Sequence, residues 1–131
     1  MIVDTSAIIA ILRGEPDADR YITALAQAED PVMSAGNYVE AAIVVDMNRD
    51  PVLSSRFDEL MEATQIKVEP VTLHHAEIAR QAYRDFGKGS GHRAGLNFGD
   101  CFAYALARVK NRPLLYEGDD FGYTGIDAVL D

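Results

Sequence analysis

Short apolar runs that stop at a polar residue alternate along this chain with segments of helical periodicity, and no other feature restricts the fold as much. Met1 to Val3 stops at Asp4, and Val32-Met33 stops at Ser34. Ile66, Val68 and Val71 alternate with Lys67 and Glu69, a half-buried strand pattern, and Pro113 to Tyr116 stops at Glu117. Between these runs apolar residues recur at helical spacing, as in Ala7, Ile8, Ile11, Leu12 and in Tyr21, Ile22, Leu25, Ala26. Strands that alternate with helices pair in parallel, because each crossover helix returns the chain to the end of the sheet where the last strand began. The expectation is a single three-layer α/β/α domain over residues 1–131, around a mainly parallel sheet of about four to five strands.

Local punctuation sets the elements. Glu15-Pro16-Asp17 restarts a helix after Gly14, with Pro tolerated in a first turn. Ser34 caps a helix to about Met47, and Asp50-Pro51 precedes another from about Val52 to Ala63. Leu73 to Phe86 reads as helix with Leu73, Ala76, Ala79 and Tyr83 on its apolar face. Gly87 to Gly95 is a loop, Phe98 to Lys110 a helix, and Glu117 to Gly125 a turn region. Ile126 to Leu130 is expected to finish the chain as a short edge strand.

Composition removes several classes. A chain of 131 residues fits one domain. A single Cys cannot close a disulfide within the chain, which excludes a secreted disulfide scaffold. No run approaches the ~18 apolar residues of a membrane span, and no basic region precedes the first apolar run, so a signal peptide is not expected. The expected location is the cytoplasm, away from membrane. A net charge of −9 disfavours nonspecific binding to nucleic acid. Residues 80 to 112 nevertheless carry +5 and the remainder −14, which is either a binding surface or two solvated faces.

Four acidic positions stand out, the last of them a pair. Asp4 ends the first strand, where open α/β sheets place ligands, and is equally a good helix N-cap. Glu40 lies in Tyr38-Val39-Glu40-Ala41-Ala42-Ile43-Val44-Val45 with no cation at helical spacing, so it either reaches solvent or meets something positive. Asp100 follows Asn97-Phe98-Gly99, as a capping-box partner or as part of a site. Asp119 and Asp120 follow a strand and Gly118, a placement that turn chemistry also favours. Carboxylates converging on one rim of the sheet repel, and Mg²⁺ or Mn²⁺ relieves that repulsion with oxygen ligands. Adjacent His74 and His75 and the loop residue His92 offer no zinc set.

Met1-Ile2-Val3-Asp4-Thr5-Ser6-Ala7 resembles the opening of PIN-domain ribonucleases of the VapC toxin type. Leu96 to Ala107 resembles their third acidic motif and Pro113 to Phe121 the fourth, with Glu117 where family members often carry Thr. The family's second acid maps onto Glu40, and Asp119 is preferred over Asp120 because it directly follows Gly118.

The resemblance implies a metal-dependent endoribonuclease, the toxin of a type II toxin–antitoxin pair. Asp4 and Asp100 would hold Mg²⁺ (or Mn²⁺), and Glu40 and Asp119 would complete the site and position the attacking water. Thr5 and Ser6 would hydrogen-bond the carboxylates, and Lys88 and Arg93 would track the RNA backbone. The implied partners are RNA, a cognate VapB-like antitoxin, a second copy in a homodimer, and DNA only through the antitoxin. Two other readings compete. A phosphatase with an aspartyl nucleophile needs a second Asp where this chain has Ser6. A catalytically inactive PIN-like binding module would not need all four acidic positions filled.

Overall fold

The computed structural model describes residues 1–130; Asp131, the last residue of the expected domain, lies outside them. Strand β1 (Ile2–Val3) leads through Asp4 into helix α1 (Thr5–Arg13), which Gly14 ends in the left-handed conformation at φ +62°. Helix α2 (Ala18–Gln27) and strand β2 (Val32–Ser34) follow. Ser34 caps α3 (Ala35–Asp46), and Asp50 caps α4 (Pro51–Thr64), which begins on Pro51. The chain continues through β3 (Lys67–Glu69), α5 (Leu73–Phe86), α6 (Phe98–Lys110), β4 (Leu114–Leu115) and a single 3₁₀ turn, η1 (Asp120–Tyr123).

The strands form one sheet in the order β3-β2-β1-β4, and every pair is parallel. Ile2 lies opposite Val32 and Leu114, and Val3 opposite Leu115. Alternation along each strand then divides the core. Val3, Met33 and Leu115 pack with α1 to α4, while Ile2, Val32 and Leu114 pack with α5 and α6. The expected three layers are present.

Topology also locates the site. From β1 the sheet grows through β2 to β3, then β4 returns to the other side of β1. In open parallel sheets such a reversal leaves a crevice beyond the carboxyl ends of the two strands. Asp4 follows β1 there, and Tyr116-Glu117 follow β4.

Several expectations are corrected. Residues 126–130 form no strand: Leu114 bridges Ala128 alone, and the Val129 N–H donates to the Leu114 carbonyl. Val68 is not half-buried core but 38% exposed, because β3 is the sheet's edge. On α5 the buried residues are Ala79 and Ala82, while Leu73 and Tyr83 are exposed. The alanines let α5 lie close against α6, which turns the larger side chains outward. Helix α3, apolar nearly all round, covers only the face with Asn37, Ala41 and Val45, leaving Val39, Ile43 and Met47 beside it exposed.

Candidate functional site

Asp4 is 2% exposed and fills two roles at once. Its Oδ2 accepts from the Ser6 backbone N–H at 3.0 Å, as an N-cap does, and from the Ser6 hydroxyl at 2.6 Å. Ser6 Oγ in turn accepts the Glu117 N–H at 2.9 Å, so its single proton is directed at Asp4. The other Asp4 oxygen, Oδ1, is buried without a partner. Burial pushes the Asp4 carboxyl up to about 7; the Ser6 hydroxyl opposes this, and Asp100 and Glu40 add repulsion.

Asp100 likewise caps and faces the site. Asn97 Oδ1 accepts the Asp100 N–H at 2.9 Å, and Asp100 Oδ2 accepts the Asn97 N–H at 3.0 Å, a complete capping box with Asp in the place of Glu. Burial raises the Asp100 carboxyl to about 6 against the Asn97 bond, with Asp120 and Glu40 raising it further. Asp120 lies within hydrogen-bond reach of Asp100. Asp119 does not join them: it lines a separate cleft with Tyr21, Tyr116, Glu117 and Tyr123. Asp120 opens η1, whereas Asp119 lies outside it as the residue before. Asp120, rather than Asp119, is thus the acid set beside Asp100.

Glu40 rests over Gly99, where any Cβ would fall on its carboxylate. Gly99→Ala should displace Glu40 at little cost in stability, because the clash is with the far end of a flexible side chain and Ala favours helix. The expected result is an unchanged or higher melting temperature with about 10²-fold less cleavage, read by paired calorimetry and RNA cleavage.

Sequence reasoning missed Asn37. Wholly buried, its Nδ2 donates to the Gly99 carbonyl at 3.0 Å and to Thr5 Oγ1 at 3.3 Å, joining α1, α3 and α6. Its signal was a polar residue three positions before Glu40 in an apolar helix. Thr5 does not reach a carboxylate: one residue's rotation from Ser6 turns it toward α3, where its hydroxyl donates to the Asn37 carbonyl at 3.1 Å.

The basic window divides. Lys110 pairs with Glu69 at 2.8 Å and Arg112 with Asp30 at 3.5 Å, so both serve the fold. Lys88 is exposed in the glycine loop, and Arg93 lays its guanidinium 4.2 Å from the Tyr123 ring centroid, on the turn that begins with Asp120. Burial lifts the Cys101 thiol to about 11, which removes it as a nucleophile.

Among the described residues no three acidic, His or Cys side chains close on one point as a finished metal cage. What they form is an open rim with an orphaned buried oxygen and mutually raised carboxyls. That donor set suits a hard cation such as Mg²⁺, which retains waters and takes few carboxylates.

The PIN domain model matches residues 1–126. The chain is 59% identical over 131 residues to ribonuclease VapC28 of Mycobacterium tuberculosis, covering 100% of this chain and 98% of that one. Its fold is similar to the crystal structure of M. tuberculosis VapC20, described as a sarcin–ricin loop cleaving toxin, with TM-score 0.75 at 19% identity over 98% and 97% of the two chains. A toxin–antitoxin complex from Klebsiella pneumoniae aligns with TM-score 0.67 at 16% identity, over 92% of this chain and 88% of that one.

Proposed function

This chain belongs to the PIN-domain family of VapC ribonucleases, toxins of VapBC toxin–antitoxin pairs, and from that membership we infer how its residues hydrolyse RNA. Residues 1–131 act as one PIN-like domain. Asp4 and Asp100 hold Mg²⁺ or Mn²⁺, while Glu40 and Asp120 complete the site and position the attacking water. A bound divalent ion lowers the pKa of its water and stabilises charge on the phosphate.

The observation that carries this reading is the unpartnered Asp4 Oδ1. The Ser6 N–H and hydroxyl commit Oδ2, with the hydroxyl oriented by the Glu117 N–H it accepts, so Oδ1 alone is presented to a cation. Asp100 gives Oδ2 to its cap, which leaves Oδ1 for the same purpose. Gly99 lets Glu40 approach within the same rim. Lys88, exposed in the glycine loop, and Arg93, over Tyr123 on the turn that begins with Asp120, offset the overall −9 charge and draw the RNA backbone in. With every acidic position filled, an inactive binding module is disfavoured.

A VapB-like antitoxin is the natural partner, with DNA contacted only through it. Exposed Val39 and Ile43 on α3 and Phe98 on α6, at 55%, 54% and 77%, support pairing with a second copy. Among the described residues no helix is long and apolar enough to cross a membrane, and action on RNA points to the cytoplasm.

Purified protein freed of antitoxin should cleave structured RNA with Mg²⁺ or Mn²⁺ and stop in EDTA. Cleavage that continues unchanged in EDTA after repurification would sink the metal assignment.

A further inference from the structure

The cleft that takes Asp119 away from the metal rim has a chemistry of its own. Its volume is about 410 Å³, and Tyr21, Tyr116, Glu117, Asp119 and Tyr123 are among its walls. The Glu117 carboxylate is occupied, since it accepts from the Tyr21 hydroxyl. The Asp119 side chain takes no hydrogen bond or ion pair among the described residues and is exposed to the cleft. Tyr123 is 42% exposed and is held by Arg93, whose guanidinium lies 4.2 Å from its ring centroid. Gly122, between these residues, has open space where a Cβ would stand. In a 3₁₀ turn residues three apart are eclipsed, so Tyr123 stands one turn, roughly 6 Å, along from Asp120 at the metal rim.

The geometry points to a nucleobase site in this cleft, with guanine as the base it takes. The inference rests on the reading of RNA as substrate. Arg20 also lines the cleft and pairs with Asp17 at 3.6 Å, but the carboxylates of Asp17, Glu117 and Asp119 outnumber it, which disfavours phosphate and favours N–H donors. The exposed Tyr123 ring supplies stacking surface for an unpaired base, and the guanidinium behind it stiffens that surface. Guanine alone among the four bases presents two parallel N–H donors, N1 and N2, on its Watson–Crick edge. A carboxylate with both oxygens available accepts them bidentately, as it does a guanidinium. Asp119 supplies that carboxylate and Tyr123 the stacking face, beside the scissile phosphate at Asp4, Asp100 and Asp120. Glu117, which departs from the family's Thr, belongs to this site through Tyr21.

The test is fluorescence anisotropy of the full chain in EDTA at low salt, so that binding is read without cleavage. The probes are labelled single-stranded octauridylate and the same oligomer with one central guanosine or inosine, which lacks the N2 amine. The guanosine oligomer should bind roughly tenfold tighter than octauridylate, with inosine between them. Asp119→Asn should remove the guanosine preference over inosine, Tyr123→Ala should weaken every probe, and Tyr123→Phe should behave as the parent. Equal binding of guanosine and uridine oligomers, or an intact preference in Asp119→Asn, overturns the proposal. Asp4→Asn separates it from the hydrolytic reading: cleavage is lost there while the guanosine preference stays.

Discussion

Asp4→Asn and Asp100→Asn each lower RNA cleavage by about 10²–10³-fold or more while leaving the metal-free melting temperature equal or higher. Asn matches Asp in shape and serves as well at an N-cap, so the Ser6 N–H keeps an acceptor. The same holds for the Asn97 N–H at Asp100. What each change removes is a charge that burial and neighbouring carboxylates already disfavour. Folding therefore loses nothing and a metal loses a ligand. Thermal melts with cleavage assays on both variants check this, and full activity in Asp100→Asn would mean that Asp100 is only a cap.

Without metal, stability should fall as pH rises from about 5 to about 7, by up to about 1.4 kcal/mol per pH unit for each carboxyl involved. The sign follows from the shifts. Asp4 rises from 3.8 to about 7 and Asp100 from 3.8 to about 6, so the folded state binds protons that the unfolded state has released. That proton-linked stability is full below the unfolded value and is gone above about 7. Mg²⁺ competes with those protons, so its stabilisation should grow across the same window. Differential scanning calorimetry at pH 5, 6, 7 and 8, with EDTA or with Mg²⁺, reads both slopes. Asp4→Asn should flatten the metal-free curve; a curve in the parent protein that rises from pH 5 to 7 would contradict the burial of these carboxyls.

The elements legible in sequence were those whose signals are local. Helices α5 and α6 begin and end at the residues the pattern marked, because Thr72 and Asn97 cap them and glycine or asparagine follows. Glu40 stood out because a carboxylate in an apolar helix has no cation at helical spacing, and Asp4 and Asp100 because they stand at a strand end and a helix start, where caps and ligands are both placed. The buried face of α5 was misread because alanine carries little pattern weight, yet Ala79 and Ala82 decide how closely α6 approaches. Asn37 was overlooked because its partners, Thr5 and the Gly99 carbonyl, lie 32 and 62 residues away.

The sequence by itself determined the three layers and the parallel sheet, and it marked Asp4, Glu40 and Asp100 as candidates. Periodicity, caps and strand-end placement act over a few residues, and their energies depend little on the rest of the chain. The tertiary structure alone decided that Asp120 faces Asp100, that Ser6 and not Thr5 holds Asp4, and that Lys110 and Arg112 serve the fold. The last joins residues distant in sequence, and the first two turn on the rotation of a side chain by one residue. Such a rotation is fixed only when helices α1, α3 and α6 and the β4 turn are packed against one another, because only then does each orientation meet its partner or a clash.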